Sequence, residues 1–214
     1  MQPADAVRAW VGRAAVAPAT TRTDPGGWLA RTYTGGSAHE AKPDSLRIRR
    51  QKIQGTDALL AVEYQDQNGH WLSYVYGLSK KDDATWTVIG GAGGSLDGQP
   101  PWPEPFANLG GWGNREFLCA GGRVQGATVS RVRLVAADGQ ALEDEVVEGY
   151  ALLMGDLPFN EEYTLELLDG TGHVLGRQRE AVDCKRMGHA GFFLYSVRAD
   201  RRIKAWSIAH SNCA

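Results

Sequence analysis

The sequence predicts a β-rich α+β protein in which an N-terminal helix is followed by a long series of antiparallel strands. The chain has 214 residues, among them 27 glycines and seven tryptophans. Frequent glycines supply turns between short strands, and many aromatic residues suit the cores of β-dominated folds. The dipeptides Asn-Gly and Asp-Gly recur between short apolar runs, which is the pattern of strands connected by hairpins.

A helix is predicted over residues 3–17. Its apolar side chains recur at three- and four-residue spacings, which places them on one face. They are Val7, Trp10, Val11, Ala14 and Ala15. Pro18 ends the helix because proline cannot continue it. Residues 19–44 are rich in Thr, Gly, Pro and Asp and predict a long connection with one short strand at 28–33.

Four strands are predicted to follow, at 45–53, 59–65, 71–78 and 85–89. Asn68-Gly69 predicts a tight two-residue type I′ hairpin between the second and third of them, because both turn positions need positive φ. With the helix packed on one face of this antiparallel meander, the predicted architecture is that of cystatin-like and NTF2-like folds.

The chain is predicted to contain two modules joined by a linker rich in proline and glycine. Residues 90–94 (Gly-Gly-Ala-Gly-Gly) predict a flexible connection, and the four prolines between residues 99 and 105 disfavour strand pairing. The predicted boundaries are 1–94 for the helix-plus-sheet module, 95–112 for the linker and 113–214 for the second module. Trp102 and Trp112 are expected to dock the modules together or to mark a binding surface.

The second module is predicted to be an antiparallel β-sandwich, because short strands separated by regular turn signals are typical of that architecture. The turn signals are Asp138-Gly139 and Asp169-Gly170. Strands are expected at 116–120, 127–136, 145–154, 163–168 and 173–179, with a last hairpin formed by 192–198 and 203–209.

The segment from Cys119 to Gln178 carries a series of turn and strand patterns. Its stretches are Ala-Gly-Gly-Arg-Val, Val-Arg-Leu-Val-Ala-Ala-Asp-Gly, Val-Val-Glu-Gly-Tyr and Leu-Glu-Leu-Leu-Asp-Gly-Thr-Gly-His-Val-Leu. These patterns resemble the small β-sandwich modules of bacterial envelope proteins, which are similar to carboxypeptidase-regulatory-like and other immunoglobulin-like domains. The resemblance implies a module that binds a partner or acts as a spacer between other domains, and that has no family-wide catalytic residues.

Cysteine and histidine residues near the C-terminus support alternative interpretations. Cys184 and Cys213 flank the predicted last hairpin, which brings them together, and a disulfide between them would hold the C-terminal tail in an oxidising compartment. Alternatively, Cys184, His189, His210 and Cys213 form the pairs Cys-x4-His and His-x2-Cys, whose donor atoms suit tetrahedral zinc. The disulfide is preferred to zinc, and an incidental arrangement of these residues stays open.

Four basic residues are concentrated in the first predicted strand. Arg47 and Arg49 are expected on one face, and Arg50 and Lys52 on the other. One interpretation is a contact with an anion or an acidic partner. The preferred interpretation is a charged edge strand that resists edge-to-edge aggregation.

Aromatic residues on the predicted meander form a candidate ligand site. Tyr74 and Tyr76 share one face of their strand, and Trp86 lies on the next strand. These three side chains could line a concave pocket of the kind that NTF2-like sheets carry. The competing interpretation is that they fill the core.

Charge and motif content exclude several function classes. A formal net charge of −2 argues against a nucleic-acid-binding protein, and no apolar run is long enough to predict a membrane-spanning segment. The sequence lacks Gly-x-Ser-x-Gly and His-Glu-x-x-His. The glycines of 90–94 are not followed by a helix N-terminus that could hold a phosphate. No cofactor is predicted.

The sequence therefore favours a non-catalytic protein that binds a protein or a small molecule, in the bacterial envelope if the resemblance is followed. The alternative is a small-molecule-binding or enzymatic pocket in the N-terminal module. The compartment is left open: an extracytoplasmic location is favoured if a signal or anchor was removed ahead of Met1, and a cytoplasmic one otherwise.

Overall fold

The computed structural model describes residues 2–16, 41–80, 85–97, 105–113, 116–158 and 162–181, with short pieces at 190–191, 195–196 and 210–211. Within these residues the chain forms one α-helix, one short 3-10 helix (Pro43–Ser45) and fourteen strands. Every pairing between these strands is antiparallel. The predicted β-rich fold with antiparallel sheets and one N-terminal helix is therefore confirmed.

The first sheet has the order β1-β2-β3-β4. Its strands are β1 (Arg47–Gln54), β2 (Asp57–Gln65), β3 (Trp71–Lys80) and β4 (Trp86–Ser95). Helix α1 (Pro3–Val16) packs on one face of this sheet, and Val7 and Val11 are buried there. The apolar spacing that predicted the helix thus also predicted the face that it buries.

The glycine-rich segment 90–94 is part of β4, so its prediction as a flexible connection is wrong. Gly91 pairs with Tyr76 and Gly93 with Tyr74 on the neighbouring strand. A Cβ atom on Gly91 would lie 2.6 Å from Cδ1 of Tyr76, and one on Gly93 would lie 2.7 Å from Cγ of Tyr74. Gly91 and Gly93 therefore allow the rings of Tyr76 and Tyr74 to pack directly against the backbone of β4.

Two further four-stranded sheets follow. The middle sheet has the order β13-β5-β6-β9 and the third sheet the order β11-β10-β7-β8, while β12 pairs with β14. The strands are β5 (Phe106–Gly113), β6 (Leu118–Gln125), β7 (Arg131–Ala136), β8 (Ala141–Glu145), β9 (Tyr150–Gly155), β10 (Glu162–Leu168), β11 (Val174–Ala181), β12 (Ala190–Gly191), β13 (Tyr195–Ser196) and β14 (His210–Ser211).

Two predicted boundaries differ from these strands. Strand β5 begins inside the predicted linker 95–112 and ends just beyond it, at Gly113. Residues 106–112 therefore form a paired strand instead of the irregular backbone predicted there. They follow the four prolines, so their backbone N–H groups can take part in strand pairing. The strand predicted at 145–154 is divided by a turn, at which Glu148 has φ 50° and Gly149 has φ 78°. The division into modules 1–94 and 113–214 stays a prediction, and Trp102 lies outside the described residues.

The helix and the three sheets form consecutive layers. Seven buried residues join the first and middle sheets, and they are Leu59, Ala61, Val75, Cys119, Tyr150, Leu152 and Met154. A larger cluster joins the middle and third sheets, with Leu109, Leu153, Val132 and Leu165 among its fully buried members. The middle sheet is consequently covered on both faces, which explains why β9 is buried at every position.

Three hairpins use the same turn. At each, a glycine with φ near 90° follows two ordinary loop residues, and these glycines are Gly69, Gly139 and Gly172. At the first hairpin, the Gly69 N–H donates to the Asp66 carbonyl at 3.0 Å and the Asp66 N–H donates to the His70 carbonyl at 2.9 Å. This is a type I turn followed by a left-handed glycine. Hairpins were predicted at the right places, but the type I′ geometry is wrong because Asn68 lacks positive φ.

Candidate functional site

A bulge in β1 decides where its basic side chains point. Ile48 pairs with Val62 but Arg50 pairs with Ala61, so Arg49 is an extra residue in the ladder. Ile48 packs on the helix side of the first sheet, whereas Ala61 belongs to the cluster facing the middle sheet. The bulge therefore turns Arg50 towards the middle sheet.

Arg50 and Lys52 converge on one buried carboxylate, as their predicted common face allows. Arg50 donates from Nη1 to Asp144 Oδ2 at 2.6 Å and from Nη2 to Oδ1 at 3.1 Å, and Lys52 Nζ lies 2.8 Å from Oδ1. The Asp144 side chain is 8% exposed and also accepts the Leu152 N–H at 2.7 Å. These contacts tie the edge of the first sheet to β8 and β9.

Arg47 and Arg49 are also engaged within the chain. Arg49 donates from Nε and Nη2 to Glu63 Oε2 at 2.8 and 2.6 Å, and these hydrogen bonds raise the pKa of Arg49 although burial opposes them. The Arg47 guanidinium lies 4.5 Å from the centre of the Trp71 ring, a cation–π contact. Strand β1 lies at the edge of its sheet, and its role in resisting edge-to-edge aggregation stays a prediction. A ligand role for either arginine stays a prediction.

A chain of hydrogen bonds leads from Glu63 into the space between the first and middle sheets. Tyr150 donates its hydroxyl hydrogen to Glu63 Oε1 at 2.9 Å, and Ser73 Oγ lies 2.6 Å from the Tyr150 oxygen. Burial is the largest influence on Tyr150 and raises its pKa, with Ser73 and Arg123 acting in the opposite direction. Because Tyr150 has one hydrogen, which Glu63 accepts, Ser73 must donate to Tyr150.

The candidate site is the cleft next to Ser73, at the end of this series of hydrogen bonds. It lies between β3 and β4 of the first sheet and β5 and β6 of the middle sheet, with a volume of about 180 Å³. The gap is open beside Gly94, because a Cβ atom added to this residue would meet no heavy atom within 4 Å. The polar side chains in its wall are Ser73, Ser95, Asn108, Arg123 and Gln125.

Arg123 is the charged residue in this wall. It lies on β6 opposite Asn108 and Tyr150, and its side chain is half-buried. In the part of the chain that the structure describes, no carboxylate forms an ion pair with it. A half-buried guanidinium beside an open gap presents N–H donors that suit a carboxylate or phosphate. The sequence analysis missed Arg123, although Gly121, Arg123 and Gln125 alternate on one face of β6, which was a usable signal.

The aromatic candidates lie on the other face of the first sheet. Tyr64, Tyr74 and Tyr76 form a stack with ring centres 5.8 and 5.7 Å apart. Tyr76 and Trp86 are buried in the cluster beneath α1. The structure therefore does not bring these residues together with Arg47, Arg49 or the cleft. Their contact with a ligand stays a prediction.

The C-terminal cysteine and histidine predictions are not addressed by the described residues. Cys184, His189 and Cys213 lie outside them, and His210 is described only as part of β14. The disulfide and its zinc alternative stay predictions. Cys119 is a buried free thiol, and burial raises its pKa to about 12, which makes it unreactive at neutral pH.

Comparison with known proteins gives no relative from which a function could be carried over. No family model matches the chain, and the searches of curated proteins and of solved structures gave no match. Among the described residues, no helix has the length and apolar character needed to cross a membrane. The functional argument therefore depends on the geometry of the cleft.

Proposed function

We propose that the protein is a non-catalytic binding protein whose ligand site is the cleft between the first and middle sheets. The observation that carries this proposal is the combination of an open gap of about 180 Å³ with Arg123, which has no carboxylate partner among the described residues. A few convergent polar groups around a preformed gap are typical of small-molecule sites.

Finer features of the fold belong to the same proposal. The packing of α1 on an antiparallel sheet supports the likeness to cystatin-like and NTF2-like folds. The shared core of the middle and third sheets supports an immunoglobulin-like sandwich of the kind found in bacterial envelope proteins. The alternative, a small-molecule-binding or enzymatic pocket in the N-terminal module lined by Tyr74 and Tyr76, is less well supported because Tyr76 is buried under the helix.

Filling the cleft tests the proposal. Gly94 lies in a strand with ordinary φ, and a side chain there would enter open space. We expect Gly94→Val to fold with unchanged or higher stability, because glycine inside a strand costs about 0.5–1 kcal/mol relative to alanine. The matched control is Thr87→Val, an exposed position on the same strand that is not part of the cleft wall.

Binding is measured by thermal unfolding with a panel of sugars, sugar acids, hydroxy acids and amino acids. A ligand present at about ten times its Kd stabilises the folded state by about 1.4 kcal/mol. We expect the same compound to stabilise the wild-type protein and Thr87→Val but not Gly94→Val. Equal stabilisation of Gly94→Val, or no stabilisation by any member of the panel, would refute a small-molecule site in this cleft.

A further inference from the structure

We propose that the cleft selects a small organic acid that also carries a hydroxyl group. The carboxylate would bind Arg123, and the hydroxyl would donate to Ser73. This inference rests on the proposed function and adds the chemical class of the ligand. It follows from the charge, the hydrogen-bond polarity and the size of the site.

The charge of the site favours one anionic group. Arg123 is the charged member of the described residues that line the cleft. Glu63, the acidic residue of the hydrogen-bond network, accepts from Arg49 and Tyr150. The guanidinium is therefore available to a ligand carboxylate, whose two oxygens match its fork of N–H donors. A phosphate dianion would need a second cation that the described wall does not supply.

The direction of the hydrogen bonds around Ser73 indicates which second functional group of the ligand fits the cleft. Arg49 donates to Glu63, Glu63 accepts from Tyr150, and Tyr150 therefore accepts from Ser73. The hydrogen of the Ser73 hydroxyl is used in this chain, so its oxygen offers only lone pairs to the cleft. A ligand group that donates a hydrogen bond fits there, and a hydroxyl is the uncharged group of a small organic acid that does so.

The size of the cleft limits the ligand. A volume of about 180 Å³ is below the roughly 300–1,000 Å³ of pockets that hold drug-sized ligands. That space suits a molecule between a short hydroxy acid and a sugar acid. The amide side chains of Asn108 and Gln125, which also line the cleft, can donate or accept and so fit additional hydroxyls.

The experiment compares matched probes by calorimetry and by NMR titration. The probes are L-lactate and D-glucuronate as hydroxy acids, propionate as an acid without a hydroxyl, glucose as a neutral polyol, and inorganic phosphate. We expect a hydroxy acid to bind at least about 10-fold more tightly than propionate or glucose, as expected for one added charged or polar contact. Phosphate is expected to bind more weakly than the hydroxy acid.

Two variants assign the contacts. Arg123→Met should weaken binding of the hydroxy acid about 10- to 100-fold and should remove the dependence of that binding on salt concentration. Arg123→Lys keeps the charge and should recover part of the affinity, which separates a ligand contact from a structural role. Urea unfolding of each variant verifies that it is folded.

The outcomes distinguish this inference from the proposed function. If glucose binds as tightly as D-glucuronate and Arg123→Met binds both like the wild type, the cleft binds ligands but the acid specificity is refuted. Tighter binding of phosphate refutes the carboxylate assignment. If every probe fails in the wild-type protein and the wider panel fails as well, the proposed function is refuted together with this inference.

Discussion

Removing the carboxylate of Asp144 should be the most damaging single change at the junction of the sheets. Asp144→Ala would leave Arg50 and Lys52 without a carboxylate partner and the Leu152 N–H without an acceptor. Among the described residues, Arg50 would keep only the backbone carbonyls of Glu145 and Tyr150 as acceptors, and these do not neutralise its charge. Breaking a buried ion pair by removing one partner costs about 3–5 kcal/mol. The side chains of Arg50 and Lys52 are 15% and 31% exposed, so water offsets part of this cost. We therefore expect a loss of about 3 kcal/mol.

The assay is urea unfolding followed by tryptophan fluorescence. The matched control is Glu143→Ala on the same strand, because Glu143 also pairs with an arginine, Arg131, at 2.7 Å, but its side chain is 34% exposed. Exposed pairs contribute about 0–1 kcal/mol, so the control should change the free energy of unfolding by less than about 1 kcal/mol. Equal losses in the two variants would refute the view that Asp144 joins the sheets.

Two further predictions concern pH and turn geometry. Burial opposes the ionisation of Glu166, but hydrogen bonds from Arg177 and Arg133 outweigh it and hold the pKa of Glu166 below its ordinary value of 4.5. Its stabilising contribution is thus present above pH 4.5 and lost as the pH falls through the folded-state value. The free energy of unfolding should fall less steeply on acidification in Glu166→Gln, and identical slopes would contradict this. Gly69 has a φ of 89°, so Gly69→Ala should lower the free energy of unfolding by about 1–2 kcal/mol in the same assay. The control is Gly170→Ala, which lies outside the left-handed region and should leave the free energy of unfolding nearly unchanged. Similar losses in the two variants would count against the turn assignment.

Features set by neighbouring residues were predictable from the sequence. The spacing of Val7 and Val11 predicted both the helix and its buried face, and Asn68-Gly69 located a hairpin. The exact turn was not predictable, because the same dipeptide occurs in both geometries and the difference lies in the φ of Asn68. The flexible connection predicted at 90–94 was wrong because Gly91 and Gly93 pack against Tyr76 and Tyr74 on the adjacent strand. Sequence order does not reveal that pairing.

The candidate site was missed because its parts are distant along the chain. Ser73 and Tyr150 are 77 residues apart, and Arg50 and Asp144 are 94 residues apart. Such pairings depend on which sheets stack and on the register within each of them. The bulge at Arg49 adds to the difficulty, because one extra residue reverses the side-chain alternation from which the faces of β1 were predicted.

The stacking order of the sheets has a consequence for synthesis of the chain. The first sheet is complete before β9, whose Tyr150, Leu152 and Met154 cover its inner face. Translation proceeds at about 5–20 residues per second, and 77 residues separate Ser73 from Tyr150, so Ser73 emerges about 4–15 s before its partner. In the part of that interval after β4 (Trp86–Ser95) has emerged, the apolar inner face of the nascent sheet is exposed to ribosome-associated chaperones and to other nascent chains. Slowing translation between β4 and β9 should therefore lower the yield of folded protein without altering its final stability.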